Sequence, residues 1–328
     1  MKKLASAFLI AAVLLPVLTG CSLLPRKRTA LVIGKAEIDN EVFAYYFDAA
    51  YTEFEKEGGD VNSKSALKKR AVELCCQYVG TTTEFEQIGM TLNAESRRSI
   101  SDNSEEFWRL YGGHYAKEGV SKATVGKIET VEQYRIALLL YYYGEGGEYE
   151  IPEKDIEEFF DQNYVEFQAI VGYLTTQNEN GDTVPISKKE KAELRATFEE
   201  KVRRMKNGAT LTEVNDDIEV SPIFASVENS AYPEGFLEQV STLSYNEPKL
   251  IETKEYLFLV VRQDAKKGEE NNYTNYRTRY IDAIQDKALD NSLMRSGQEY
   301  PIEYRDHVMD SVMNKVLDVR QAKEQAIG

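Results

Sequence analysis

VEFQAIVGYLT (residues 165–175) decides the fold, because here a helical chain turns into something else. The run mixes β-branched and aromatic residues in the manner of a strand. A second run, EYLFLVVR (255–262), is an apolar stretch of buried-strand length. Between them, Asn180-Gly181-Asp182 reads as a turn and Ser187 as an N-cap. A charged helix over 188–207 closed by Asn207-Gly208 follows, then a short helix at 210–215, a weak strand around 218–224 and a helix from Pro233 to Leu243. Residues 165–264 therefore read as an α+β module of about a hundred residues.

Both flanks are helical. After a short strand at 30–33 and a turn at Gly34-Lys35-Ala36, a helix opens at Ile38, with Asp39 or Asn40 as N-cap and Val42, Phe43, Tyr46, Phe47 and Ala50 at helical spacing. Further helices are expected over 64–79, 80–89, from Asn93 with a break at Gly112-Gly113, and over 121–143. Another begins at Pro152 and carries Ile156, Phe159, Phe160 and Tyr164. Beyond a polar linker, 273–294 and 301–325 resemble the first helical part in composition. Packing 265–328 against 30–164 would bury more apolar surface than either could alone. The expected class is α+β, mostly helical, with the module inserted into a body built from both chain ends.

Lys2 and Lys3, an apolar run from Leu4 to Val17, and Leu18-Thr19-Gly20-Cys21 form a signal peptide over 1–20. Leu-Thr-Gly-Cys matches the lipobox of bacterial lipoproteins, so Cys21 is expected to carry lipid. Residues 21–29, with Arg26, Lys27 and Arg28, would then be a basic tether beside the headgroups. The expected location is the extracytoplasmic face of the cell membrane, held by the anchor. The formal charge is −15, and residues 1–20 contain two lysines and no acid, so what remains is more negative still. Such a surface repels phosphate backbones, which excludes nucleic acid as a partner. Cys75 and Cys76 are adjacent, read as small helix residues, and imply neither a disulfide nor a zinc site.

Three features bear on chemistry. No phosphate-binding glycine loop, nucleophile elbow or HExxH is present. His114 follows Gly112-Gly113 with Glu105, Glu106 and Glu118 nearby, and His307 lies beside Asp306 and Asp310. Packing or surface pairing is the expected role of both, with no metal and no cofactor. The chain holds 21 Tyr and 13 Phe against one Trp. Tyr45, Tyr46 and Tyr51, with Tyr141, Tyr142 and Tyr143, fall on helices expected to meet. They are the candidate residues for lining a groove that takes unfolded segments.

VIGKAEIDNEVFAYYF (32–47), following the lipobox, resembles the opening of PrsA-type foldase lipoproteins and SurA-type periplasmic chaperones. The stretch from Ala71 through Gly89-Met90-Thr91-Leu92, and Tyr149 to Phe160, are similar to later helices of that family's chaperone domain. The inserted module is similar in order to a parvulin-type prolyl isomerase, with Pro233-Glu234-Gly235-Phe236, Leu243 and Glu247-Pro248 at the matching places. The resemblance implies a membrane-anchored foldase whose partners are unfolded, newly exported polypeptides. The departure is equally plain. An active parvulin carries histidines in its first and last strands, and here Ile170 or Val171 and then Leu257 stand there. The family's Gly-Gly-x-Leu-Gly loop is also missing, with only Ser221 to Ser230 in that gap. Little or no isomerase activity is therefore expected. An isomerase with a different catalytic set, or a solute-binding lipoprotein, are the alternatives.

Overall fold

The first strand, β1 (Thr29–Ile33), turns at Gly34 (φ +61°) into β2 (Ala36–Asp39) in a computed structural model that describes residues 27–267 and 271–327. The signal stretch 1–20 and Cys21 lie outside the described residues. Lys27 and Arg28, assigned above to the tether, instead join the body. The Lys27 ammonium reaches Glu41 at 3.1 Å and Thr124 at 3.0 Å, and Arg28 exchanges hydrogen bonds with Asn40. Helix α1 (Asn40–Lys56) is capped by Asp39, one of the two expected N-caps, so that Ile38 lies just outside it. Ile38 belongs to β2, and the Asp39 carboxylate accepts from the amides of Glu41 and Val42.

Helix α2 (Lys64–Gln87) is one helix where two were expected, and α3 (Ala94–Glu118) runs unbroken through Gly112-Gly113. Glycine makes room in both. The Trp108 ring lies where a Gly112 side chain would be, and Gly80 of α2 meets the backbone of a later helix. Helices α4 (Lys122–Tyr143) and α5 (Glu153–Asn163) complete the N-terminal part.

The inserted module is a four-stranded antiparallel sheet. β3 (Tyr164–Tyr173) leads into the hairpin β4 (Thr175–Gln177) and β5 (Thr183–Pro185), then α6 (Lys188–Lys206) and α7 (Leu211–Val214). Next come β6 (Ile223–Ser226), α8 (Phe236–Ser241), β7 (Pro248–Glu252) and β8 (Tyr256–Gln263), in sheet order β6-β3-β8-β7. β7 was not anticipated, and α8 is shorter than the expected 233–243, since Gly235 (φ +73°) delays its start. One sheet face packs Leu174, Leu257 and Leu259 against Phe198 of α6; the other packs Phe167, Phe258 and Val260 against Phe236 of α8.

The chain then returns to the first body through α9 (Asn272–Asn275), α10 (Arg277–Ile284), α11 (Ala288–Gln298), β9 (Ile302–Tyr304) and α12 (Asp306–Ile327). The expected helix 273–294 is divided because Asp286 and Lys287 both adopt positive φ. The expected helix 301–325 loses its first residues to β9, which pairs with β1 (Leu31↔Tyr304, Ile33↔Ile302). Leu31, Ile33, Phe43, Phe47 and Leu67 thereby share a core with Met309, Met313 and Val316 from the far end of the chain. A second core joins Leu138, Leu139, Ile156 and Phe160 to Tyr280, Leu289 and Leu293. The fold is α+β.

Candidate functional site

Residues directly opposite in an antiparallel pair share a sheet face. Val171 pairs with Phe258 and Tyr173 with Tyr256, so both point to the α8 side, as does Ile251 opposite Phe258. Phe236 of α8 is fully buried on Phe258, with ring centroids 4.2 Å apart. Helix α8 is only six residues long and leaves the end of β3 uncovered. Val171 is 42% exposed there and Tyr173 65%. Tyr232 stacks on Phe236 (5.8 Å, 15°), Tyr256 lies 5.6 Å from Phe258, and Tyr173 meets Tyr256 at 5.7 Å. The result is a row of aromatic rings, buried in the middle and open at the Tyr173 end. A cleft of about 340 Å³ between Ala231–Pro233 and Thr253–Tyr256 adjoins it.

The register also sorts the positions where a parvulin's histidines would stand. Val171 faces the aromatic row. Ile170 and Leu257 face the other way, into the core beneath α6. Both histidines of the chain lie in the helical body, His114 on α3 and His307 on α12. The row offers apolar area and phenol tips, which suits contact with an extended chain and supplies no proton-transfer group of the imidazole kind.

The six tyrosines singled out in the sequence divide between separate places. Tyr45 and Tyr46 border a cleft of about 180 Å³ with Tyr78, Val131 and Arg135. Tyr45 stacks on Tyr115 (5.4 Å, 23°), and burial pushes its phenol up to about 12. Tyr51 is 5% exposed in the core, with the Arg320 guanidinium 4.9 Å over its ring. Tyr142 and Tyr143 line a different cleft, about 210 Å³, beside Tyr149 and Leu293, and the Tyr142 hydroxyl donates to Glu84. Tyr141 is half exposed. The two triads do not share a groove. A wider opening of about 770 Å³ lies elsewhere, between the β1–β2 turn, Tyr78 and Val79 of α2, and Tyr300-Pro301.

Sequence reasoning passed over Tyr173, Tyr232 and Tyr256, and took Val171 only as a place where a histidine is missing. Their signal was present as alternation, Val171-x-Tyr173 against Tyr256-x-Phe258, but only the register shows that the two pairs coincide. Of the acids considered around His114, Glu105 pairs with Lys122 and Glu106 with Arg109; Glu118 alone approaches the imidazole, at 3.1 Å. His307 is exposed and Asp306 pairs with Lys68 at 2.7 Å.

No protein-family model and no curated protein matches the chain. Among solved structures it is similar to the foldase protein PrsA of Streptococcus pneumoniae, with a TM-score of 0.40 and 16% identity over 75% of this chain and 90% of that one. PrsA of Lactococcus lactis gives 0.39 and 11% over 88% and 99%. PrsA of Bacillus subtilis gives 0.35 and 11% over 72% and 85%.

Proposed function

We propose that the chain is an extracytoplasmic chaperone, anchored through lipid on Cys21, that holds extended, partly apolar stretches of newly exported polypeptides. The observation that carries this reading is the aromatic row left open beside α8, with Val171 and Tyr173 exposed on it. A tyrosine ring covered by a client removes on the order of 100 Å² from water, worth at most about 2.5 kcal/mol at 25 cal/mol per Å². Ordering the client consumes part of that. Contacts of this size hold an unfolded segment briefly and release it as it folds, without a cofactor. The lipobox Leu18-Thr19-Gly20-Cys21 supports the anchor. Among the described residues no helix is long and apolar enough to cross a membrane.

Turnover of prolyl bonds is not part of the proposal. The barrier to rotation is about 18–20 kcal/mol, and lowering it requires groups that favour the twisted amide over the planar one. Val171, Tyr173 and Phe258 supply none of the family's imidazoles. The test is suppression of aggregation of a denatured secreted protein, run beside a protease-coupled assay of prolyl isomerisation. Suppression without acceleration is expected. Acceleration abolished by a substitution in residues 165–264 would replace this reading with the enzyme.

A further inference from the structure

We infer that Asp48, His114 and Glu118 form a binding site for a divalent transition-metal ion of the Zn²⁺ type, tying α1 to α3. His114 and Glu118 stand at i and i+4 on α3, so both side chains leave one face of that helix. Asp48 comes from α1, across the contact. The His114 Nε2 lies 3.1 Å from a Glu118 carboxylate oxygen and 3.5 Å from Asp48 Oδ1, and one ligand atom from each of the three lies within 4.8 Å of the others. A tetrahedral ion with bonds of about 2.0–2.1 Å holds neighbouring ligand atoms about 3.3 Å apart. The two distances from the imidazole bracket that edge.

The independent observation is Glu118. Its side chain is fully buried, and in the ionised form neither carboxylate oxygen has a hydrogen-bond partner; only a proton placed between it and Asp48 supplies one. An unpaired buried carboxylate is costly, and this one is aimed at the imidazole. Asp48 is also buried, but it is held: the Arg320 guanidinium of α12 donates to Oδ1 at 2.6 Å. That is the outer-sphere support expected around a ligating carboxylate. Lys315 and Lys323 lie near enough to be felt by Glu118 and His114 respectively, and they oppose the ion. The His114 side chain is 24% exposed, which provides an entry path. Imidazole with two carboxylates suits zinc and its first-row neighbours.

The test is titration of the untagged full chain with Zn²⁺, and with Co²⁺ for its visible absorption. Expected are one ion per chain, a cobalt spectrum without thiolate charge transfer, and a rise in Tm of several degrees. All three are lost in His114→Ala and in Glu118→Gln, the second of which keeps the shape of the side chain and so separates lost ligation from lost folding. Absence of stoichiometric binding overturns the proposal and leaves Glu118 as a buried protonated acid. So does binding that survives Glu118→Gln, or a thiolate signal, which would place the ion at Cys75-Cys76.

Discussion

Gly80 of α2 and Gly297 of α11 interlock so closely that a methyl group on either would run into the other helix's backbone, at the carbonyl of Leu293 in one case and of Cys76 in the other. Alanine is the better helix former by about 1 kcal/mol, yet forced overpacking costs about 1–3 kcal/mol. Gly80→Ala and Gly297→Ala are expected to lower the unfolding free energy by about 1–2 kcal/mol in urea. Gly126→Ala in α4 meets nothing nearer than the Ser104 hydroxyl at 3.8 Å and should raise it by about 0.5–1 kcal/mol. Equal effects at the two kinds of site would contradict the packing account.

The open end of the aromatic row separates client binding from stability. Tyr173→Ala removes an exposed ring and should change the unfolding free energy by no more than about 0.5 kcal/mol. The same change is expected to weaken suppression of aggregation several-fold. Phe258→Ala, by contrast, empties a buried position and should cost about 3–5 kcal/mol. Unchanged suppression by Tyr173→Ala at full stability would move the client site elsewhere, with the clefts at Tyr45–Tyr46 and at Tyr142–Tyr143 next in line.

Arg135 of α4 holds two acids of the C-terminal helices, Asp290 at 2.5 Å and Asp282 at 2.6 Å, with its side chain only 12% exposed. Arg135→Ala leaves both carboxylates facing each other and should cost about 1–3 kcal/mol, below the range for fully buried pairs because the acids are partly solvated. Arg135→Lys is expected to restore little, since one ammonium cannot reproduce a fork that spans two carboxylates. Denaturation curves of the two variants decide it.

Glu41 gives the stability a pH dependence with a definite sign. Burial pushes its carboxyl up, but hydrogen bonds from Ser121, Thr124 and Lys27 outweigh this and leave it below the usual value. A depressed folded pKa means stability that is complete above the unfolded value of about 4.3 and is lost as pH falls through the folded one. Glu41→Gln should therefore be less stable than the parent at pH 7, by about 1–2 kcal/mol, and the gap should narrow as pH falls below the unfolded value and through the depressed folded one. A gap independent of pH over that range would rule this account out.

Long elements were legible in the sequence because their periodicity extends over several turns or strand residues. β3 and β8 announced themselves as apolar runs, and α1, α4 and α6 by spacing and caps. β2, β7 and β9, with four, five and three residues, are too short to show alternation. β9 is specified by its partner β1 at the other end of the chain. Glycine misled in one consistent way. Gly80 and Gly112 look like helix stops, but they sit inside helices where a neighbouring backbone or a ring needs the space. The aromatic surplus was visible, whereas its division was not: Tyr51 and most of Tyr45 and Tyr46 go to packing, and the most exposed ring, Tyr173, lies on the inserted sheet. The pair His114 and Glu118 can be read from i,i+4 spacing. Asp48, on another helix, cannot.

The pairing of β1 with β9 has a consequence for the order of events as the chain emerges from synthesis. A polypeptide delivered amino end first presents β1, α1 and α2 long before β9, α11 and α12 emerge. Until then Leu31, Ile33 and Phe47 have only part of their cover, and the free side of β1 is an unpaired edge. The inserted sheet is contiguous in sequence and can close first. A protein whose proposed task is to shelter unfinished chains is thus itself unfinished until β9 and α12 are available, and distant pairings of this kind close slowly.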